Sequence, residues 1–372
     1  MTGILPDVTD DSETRGQSDL HRLARRAGQT WTNLDTAAAS GRAERHRLAE
    51  ALTSRRLVPE DTSVVVFGSL ARGEWTVGSD VDWTLLVDGP ADEAHLTMAH
   101  DIRREIEAGG WKEPGRGGLF GGLAFSHELV HRIGGEGDSN RNITQRILLL
   151  LESRAPVRSD AVRERVLRAL LSRYLADDFG YPMPPRAAAR VPRFLLNDVV
   201  RYWRTMAVDF AAKRREREGA GWLLRNFKLR LSRKLIFAAG LAAAMSCLLR
   251  PPSALQRAEN EKEEDYTAIM AEHLLAFANR TPLESIAWLA LEFGAADRVV
   301  ADIFDAYDAF LAVLSDDGKR KELAGLTPET MKAHPLFAET RTIGERFQTG
   351  LSDLFFATDS ELTAATLRYG VF

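Results

Sequence analysis

Asp80 and Asp82 stand one residue apart at the entry to an apolar run that reaches Val87. Upstream, the β-branched run Ser63 to Phe67 ends in Gly68-Ser69. Alternate residues of a strand point to one face, so both carboxylates leave the sheet together, close enough to share divalent cations. A Gly-Ser turn offers backbone N–H groups and a hydroxyl to phosphate oxygens. Acids for metal beside donors for phosphate are the parts that transfer of a nucleotidyl group requires.

The surrounding sequence supplies elements to hold these groups. Residues 20–56 have helical spacing, broken near Ser40-Gly41, and residues 63–67 and 81–87 read as buried strands. Residues 91–108 have helical character, and seven glycines between Gly109 and Gly122 suit a flexible loop. The spacing predicts a third strand from Leu123 to Ile133. It also predicts a helix from Asn140 to Ser153, entered through Asp138-Ser139. Beyond Glu152 strand signals fade. Amphipathic helices are expected to begin near Asp160, Pro192, Trp222, Glu264, Pro282, Ala296 and Pro335. The acidic run Glu259 to Asp265 is most simply a solvated helix start or linker.

Gly68-Ser69, ten further residues and then Asp80-Val81-Asp82 on an apolar strand resemble the signature of the DNA polymerase β-like nucleotidyltransferase superfamily. Gly73-Glu74-Trp75-Thr76 with Gly78-Ser79-Asp80 is similar to its stand-alone bacterial members. The resemblance implies an α+β fold: a small mixed β-sheet nucleotidyltransferase core with flanking helices, joined to an all-helical C-terminal domain. The expected division is a disordered tail over 1–19, the core over 20–158 and a helical substrate-binding domain over 159–372. The resemblance also implies that Gly68 and Ser69, with Arg72, contact the nucleotide, and that Asp80 and Asp82 bind a pair of Mg²⁺ ions, with Mn²⁺ as a substitute. ATP, or another nucleoside triphosphate, is the expected donor.

Members of the superfamily carry a third acid on a neighbouring strand. On the expected strand Leu123 to His131 that acid is Glu128, with Glu136 and Asp138 as alternates on the following loop. His127 and His131 face the other way by parity and read as packed or surface residues. Between Asn197 and Lys234 eleven cations meet four acids, a net of +7 in a chain of net charge −4. On the helix after Gly221, Arg225, Lys228 and Ser232 share one polar face. By resemblance, Lys228 and Ser232 reach the triphosphate, while a solvated basic helix explains the same charges equally well. Arg141 and Arg146 could lie near phosphate, although a turn leading into a helix N-cap is the simpler reading. Trp203 and Trp222 could stack a base, with packing the more ordinary role.

Bulk properties set the outer bounds. With 372 residues, 45% hydrophobic, the chain can build a large core, and its net charge argues against a duplex-DNA coat. One cysteine, Cys247, supports neither a disulfide framework nor a thiolate zinc site. The first twenty residues lack the apolar segment of a secretory leader, and Leu235 to Leu249 falls short of the ~20 residues a membrane span needs. A cytoplasmic protein without membrane contact is expected. The expected activity is metal-dependent transfer of an NMP, with AMP preferred, to a hydroxyl on protein, nucleotide or small molecule, releasing pyrophosphate. The alternative is a catalytically idle nucleotide-binding regulator of the same fold.

Overall fold

The computed structural model describes residues 18–54, 60–115, 119–156, 161–177, 189–216, 221–257, 263–327 and 330–370. The expected tail lies outside them up to residue 17, and Ser18 already caps the first helix. The acidic run at 259–265 also falls on residues or side chains that are not described. The fold is α+β, with a small mixed sheet and a helical C-terminal region.

Helices α1 (Asp19–Ala27) and α2 (Thr32–Ser54) lead into β1 (Thr62–Val66), α3 (Gly68–Arg72) and β2 (Trp83–Val87). Then come α4 (Glu93–Ala108), β3 (Gly122–Phe125), α5 (Ser126–His131) and α6 (Asn140–Leu151). The remainder is helical: α7 (Ala161–Asp177), α8 (Arg193–Glu216), α9 (Trp222–Lys228), a π-helical turn (Leu229–Arg233) and α10 (Lys234–Leu249). After it run α11 (Ser253–Arg257), α12 (Glu263–Ala278), α13 (Pro282–Glu292), α14 (Asp297–Ser315), α15 (Asp317–Gly325), α16 (Pro335–Phe356) and α17 (Ser360–Ala365).

β1 pairs antiparallel with β2, and β2 pairs parallel with β3. Strand alternation sends Val64, Val66, Val81, Trp83 and Leu85 to one face, against Leu48 and Leu52 of α2 and Ile102 and Ile106 of α4. Val65, Phe67 and Leu86 go to the other face, against Leu148 of α6 and Leu167 and Tyr174 of α7. A further core joins α10, α13, α14 and α16, and it also takes in Leu23, Trp31, Leu34 and Ala37 from α1 and the start of α2. The packed units therefore cross the expected division at residue 158: α1 belongs with the later helices, while α6 and α7 share the sheet's second face.

Three local expectations change. Helix α2 runs straight through Ser40-Gly41. Gly41 serves there as a contact point, since a Cβ would stand 3.4 Å from Gly73 Cα and 3.6 Å from Trp75 Cβ. The glycine-rich stretch is pinned in part to the sheet, where Val81 N–H donates to Lys112 O at 2.9 Å and Gly121 N–H to Trp83 O at 2.7 Å. The third strand stops at Phe125 and becomes α5. Leu129, Val130 and Ile133 are all buried, and neighbours such as 129 and 130 can both face a core from a helix but not from a one-sided strand.

By length and composition the continuous run Trp222–Leu255 could cross a membrane, but 67% of its most apolar window is buried inside the molecule. A helix apolar all round is what a protein interior requires. The seam between this helical part and the sheet includes buried polar contacts. There Tyr307 of α14 donates its hydroxyl to Glu74 Oε1 at 2.8 Å. Tyr307→Phe should lower stability by about 1–3 kcal/mol, the range for a buried acceptor left without its donor, while keeping the far-ultraviolet spectrum. Denaturant unfolding checks it.

Candidate active site

Phe67 N–H donates to Asp82 O at 2.8 Å, which fastens the Gly68-Ser69 turn to the acid-bearing strand. Gly68 has φ +65°, and a Cβ there would stand 2.7 Å from Asp82 Oδ2. Only glycine meets both the left-handed backbone and the close approach of the carboxylate. Asp80 and Asp82 flank Val81, which is fully buried in the opposite face of the sheet. Both acids thus take the other face and are half-buried. Ser69, also half-buried, opens α3 beside them.

Burial and the neighbouring Asp80 push the Asp82 carboxyl up to about 7, against the pull of Arg233 and Arg72. Arg233 and Arg72 compensate the two crowded acids only in part. Among the described residues no group of three or more His, Cys, Asp or Glu side chains could hold a metal. Two carboxylates, completed by waters and substrate phosphates, are nonetheless a donor set that suits Mg²⁺. The residues present fit that ion.

Behind the pair lies a chain of buried charges. Arg72 donates through Nε to Glu74 Oε2 at 2.8 Å and through Nη1 to Glu152 Oε2. Glu152 ends α6 and is completely enclosed, and it also faces Arg233 at 3.5 Å. Burial opposes the charge on Arg72, but Glu74 and Glu152 more than offset it and raise its pKa. Glu74 is raised by its own burial despite Arg72 and the Tyr307 hydroxyl. From the helical part, Lys228 is lowered to about 8 by desolvation and by Arg320, with Asp80 acting the other way. Arg320 of α15 donates to the carbonyls of Val77 and Gly78, on the loop leading to Asp80.

The structure thus sets Gly68 against Asp82, with Ser69 next in the chain, Asp80 beside Asp82, and Lys228 near enough to Asp80 to feel its charge. Three expected site residues are placed differently. Glu128 lies on α5, paired with Arg132 at 3.2 Å and about half exposed. Because β3 runs parallel to β2, with Val87 beside Phe125, α5 begins at the sheet end remote from Asp82. Five strand residues separate those ends, roughly 16 Å at ~3.3 Å each. Arg72 does not point out toward a nucleotide, because its guanidinium is engaged by two buried carboxylates. The Ser232 hydroxyl is buried and donates to Lys228 O at 3.0 Å.

The alternates also have structural occupations. Asp138 holds Arg146, which Asp198 and Tyr174 also contact, so Arg146 is fully enclosed away from phosphate. Glu136 is exposed. Ser139 caps α6, as the simpler reading of that loop expects. His127 and His131, one turn apart on α5, lie ring to ring at 4.9 Å rather than sharing a strand face. Trp203 stacks on Phe237 and Trp222 leans on Phe210. Glu74, Glu152, Arg233, Tyr307 and Arg320 were not anticipated. Glu152 carried one signal: an acid closing the apolar run Ile147 to Leu151 must find cations if that run is buried.

Residues 46–116 match the family model described as a nucleotidyltransferase domain. The match runs from the second half of α2 through β1, the Gly68-Ser69 turn, β2 and α4. The chain thus carries a domain of the DNA polymerase β-like nucleotidyltransferase superfamily. Transfer of a nucleoside monophosphate is the class of activity this domain supports. No curated protein matches the chain.

The raised Asp82 carboxyl has a pH signature. Below about 4, the unfolded carboxylate's range, both states hold the proton and folding is unaffected. Between there and about 7 only the native state keeps it, so stability falls as pH rises, and the cost levels off above that. Asp82→Asn should therefore raise the melting temperature at pH 8 by several degrees and hardly at all at pH 4, as thermal unfolding at the two pH values will show.

Proposed function

We propose that the chain transfers a nucleoside monophosphate, AMP by preference, from a triphosphate to a hydroxyl on a protein, a nucleotide or a small molecule. The acceptor oxygen bonds to the α-phosphorus as the bond to the pyrophosphate leaving group breaks. The observation that carries this reading is the close approach of the Gly68-Ser69 turn to two neighbouring half-buried carboxylates, within a matched nucleotidyltransferase domain. Asp80 and Asp82 would hold Mg²⁺, which supplies neutralisation of charge on the attacking and leaving oxygens. The turn at Gly68-Ser69 would hold phosphate oxygens with backbone N–H groups. Lys228, facing Asp80 from the helical part, suits the tail of the triphosphate.

One observation favours a second reading, an idle nucleotide-binding regulator of the same fold. Among the described residues no third acid joins the pair as a metal-holding group, and the enclosed Glu152 is already matched to Arg72 and Arg233. The chain would then bind a triphosphate and leave it intact.

Incubation with α-labelled ATP and Mg²⁺ or Mn²⁺, alone and with cell extract, separates the two. Label on a protein, a nucleotide or a small product, with pyrophosphate released, is the expected outcome. Asp80→Asn and Asp82→Asn should each cut that rate by at least about a hundredfold without loss of fold. Undiminished turnover in the double variant would end the transfer proposal, and tight binding without any product would establish the regulator.

A further inference from the structure

Helix α5, at the sheet end remote from Asp82, carries the run His127-Glu128-Leu129-Val130-His131. This is the H-E-x-x-H spacing, which on a helix sets two imidazoles on one face at the separation that zinc requires. On a strand the same two histidines would stand roughly 13 Å apart at ~3.3 Å per residue, too far to share an ion. The change from β3 to helix at Ser126 removes that obstacle. Residues four apart on a helix lie one above the other. The His127 and His131 rings are 4.9 Å apart between centroids, with 40° between their planes.

The rest of the helix decides where these rings point. Leu129, Val130 and Ile133 are buried in the core beneath the sheet's second face, so His127 and His131 are left exposed on the outer side. Among the described residues neither imidazole has a hydrogen-bond or ion-pair partner. Tetrahedral Zn–N bonds of ~2.0–2.1 Å place two ligating nitrogens about 3.4 Å apart. Rings with centroids 4.9 Å apart span that gap by turning about their side-chain bonds, without movement of the backbone. Glu128 takes no part in holding the ion. It is paired with Arg132 at 3.2 Å, and among the described residues no third His, Cys, Asp or Glu joins the two rings. The remaining positions on the metal then fall to water, which makes the arrangement a binding site rather than a peptidase centre.

We infer that His127 and His131 form a two-imidazole site for a first-row divalent cation, Zn²⁺ above all, that clips the exposed turn of α5. Imidazole nitrogens suit Zn²⁺, Ni²⁺ and Cu²⁺, whereas Mg²⁺ prefers oxygen ligands, so this site and the acid pair select different ions. A helix of six residues is too short to persist on its own propensity, and a metal held by both rings ties its first turn to its last. The inference stands apart from the transfer reading above.

Zn²⁺ and Ni²⁺ binding to the untagged full-length chain, measured by competition with a coloured chelator, reads the site. The acid pair is silenced in an Asp80→Asn, Asp82→Asn background and, in parallel, by saturating Mg²⁺ in the native chain. His127→Ala and His131→Ala should each weaken Zn²⁺ binding by at least about tenfold, the least that losing even a group hydrogen-bonded to a ligand costs. Glu128→Gln should bind as the parent does. Zinc should also shift the ring-proton resonances of two of the eight histidines, those that vanish in the two variants. It should raise the melting temperature of the parent and leave that of the double His127→Ala, His131→Ala variant unmoved. Absence of zinc binding in the parent, or undiminished binding in the double variant, overturns the site. A zinc-dependent rise in melting temperature that persists in the double variant overturns the clip.

Discussion

The site depends on a line of polar contacts buried along most of its length: Tyr307 to Glu74, Glu74 to Arg72, Arg72 to Glu152, and Glu152 to the half-buried Arg233. Its members come from α14, the loop after α3, α3 itself, the end of α6 and the π-helical turn. Ions taken from water cost several kcal/mol each unless geometry and partners are complete. Here each carboxylate meets a guanidinium and Glu74 also receives a phenol, so the line is stable only when all five elements are in register. Arg72 is three residues beyond Ser69, so this requirement fixes the Gly68-Ser69 turn from several directions. The junction between the sheet and the later helices is in this way held to one geometry.

The same line sets the electrostatics of the acids in front of it. Asp82 is crowded by Asp80 and by its own burial, and Arg233 and Arg72 relieve this only in part. Lys228 is shifted in the opposite sense, its charge disfavoured by burial and by Arg320 nearby. The two imbalances are opposed, the raised Asp82 carboxyl on the side of the sheet and the lowered Lys228 ammonium on the side of the helices.

Much of this was legible in the amino-acid order. The strand–turn–strand pattern around Gly68-Ser69 and Asp80-Val81-Asp82 has a short period and strong punctuation, and it is found where it was expected. Most of the helix starts in the second half are marked by capping residues or prolines, and Thr281 with Glu284 forms a full capping box. What was not legible depends on tertiary partners. Apolar residues at 129, 130 and 133 fit a strand end or a helix until the sheet's other neighbours are known. Gly41 reads as a breaker unless Gly73 is seen against it. A single π-helical turn such as Leu229–Arg233 leaves no mark in hydrophobic periodicity. Buried ion pairs such as Arg72–Glu152, eighty residues apart, have no local pattern at all.

One arrangement bears on how the molecule can be taken apart. The segment matched to the nucleotidyltransferase family ends at residue 116, yet Val65, Phe67 and Leu86 on the sheet's second face are covered by α6 and α7, and β3 also comes later in the chain. A fragment trimmed to the family boundaries would carry a two-stranded sheet with a greasy, uncovered side and an unpaired edge, which is a recipe for clumping rather than for a working miniature. Any shortened form must retain sequence at least through α7. The catalytic module recognised by its residues is thus smaller than the unit able to fold.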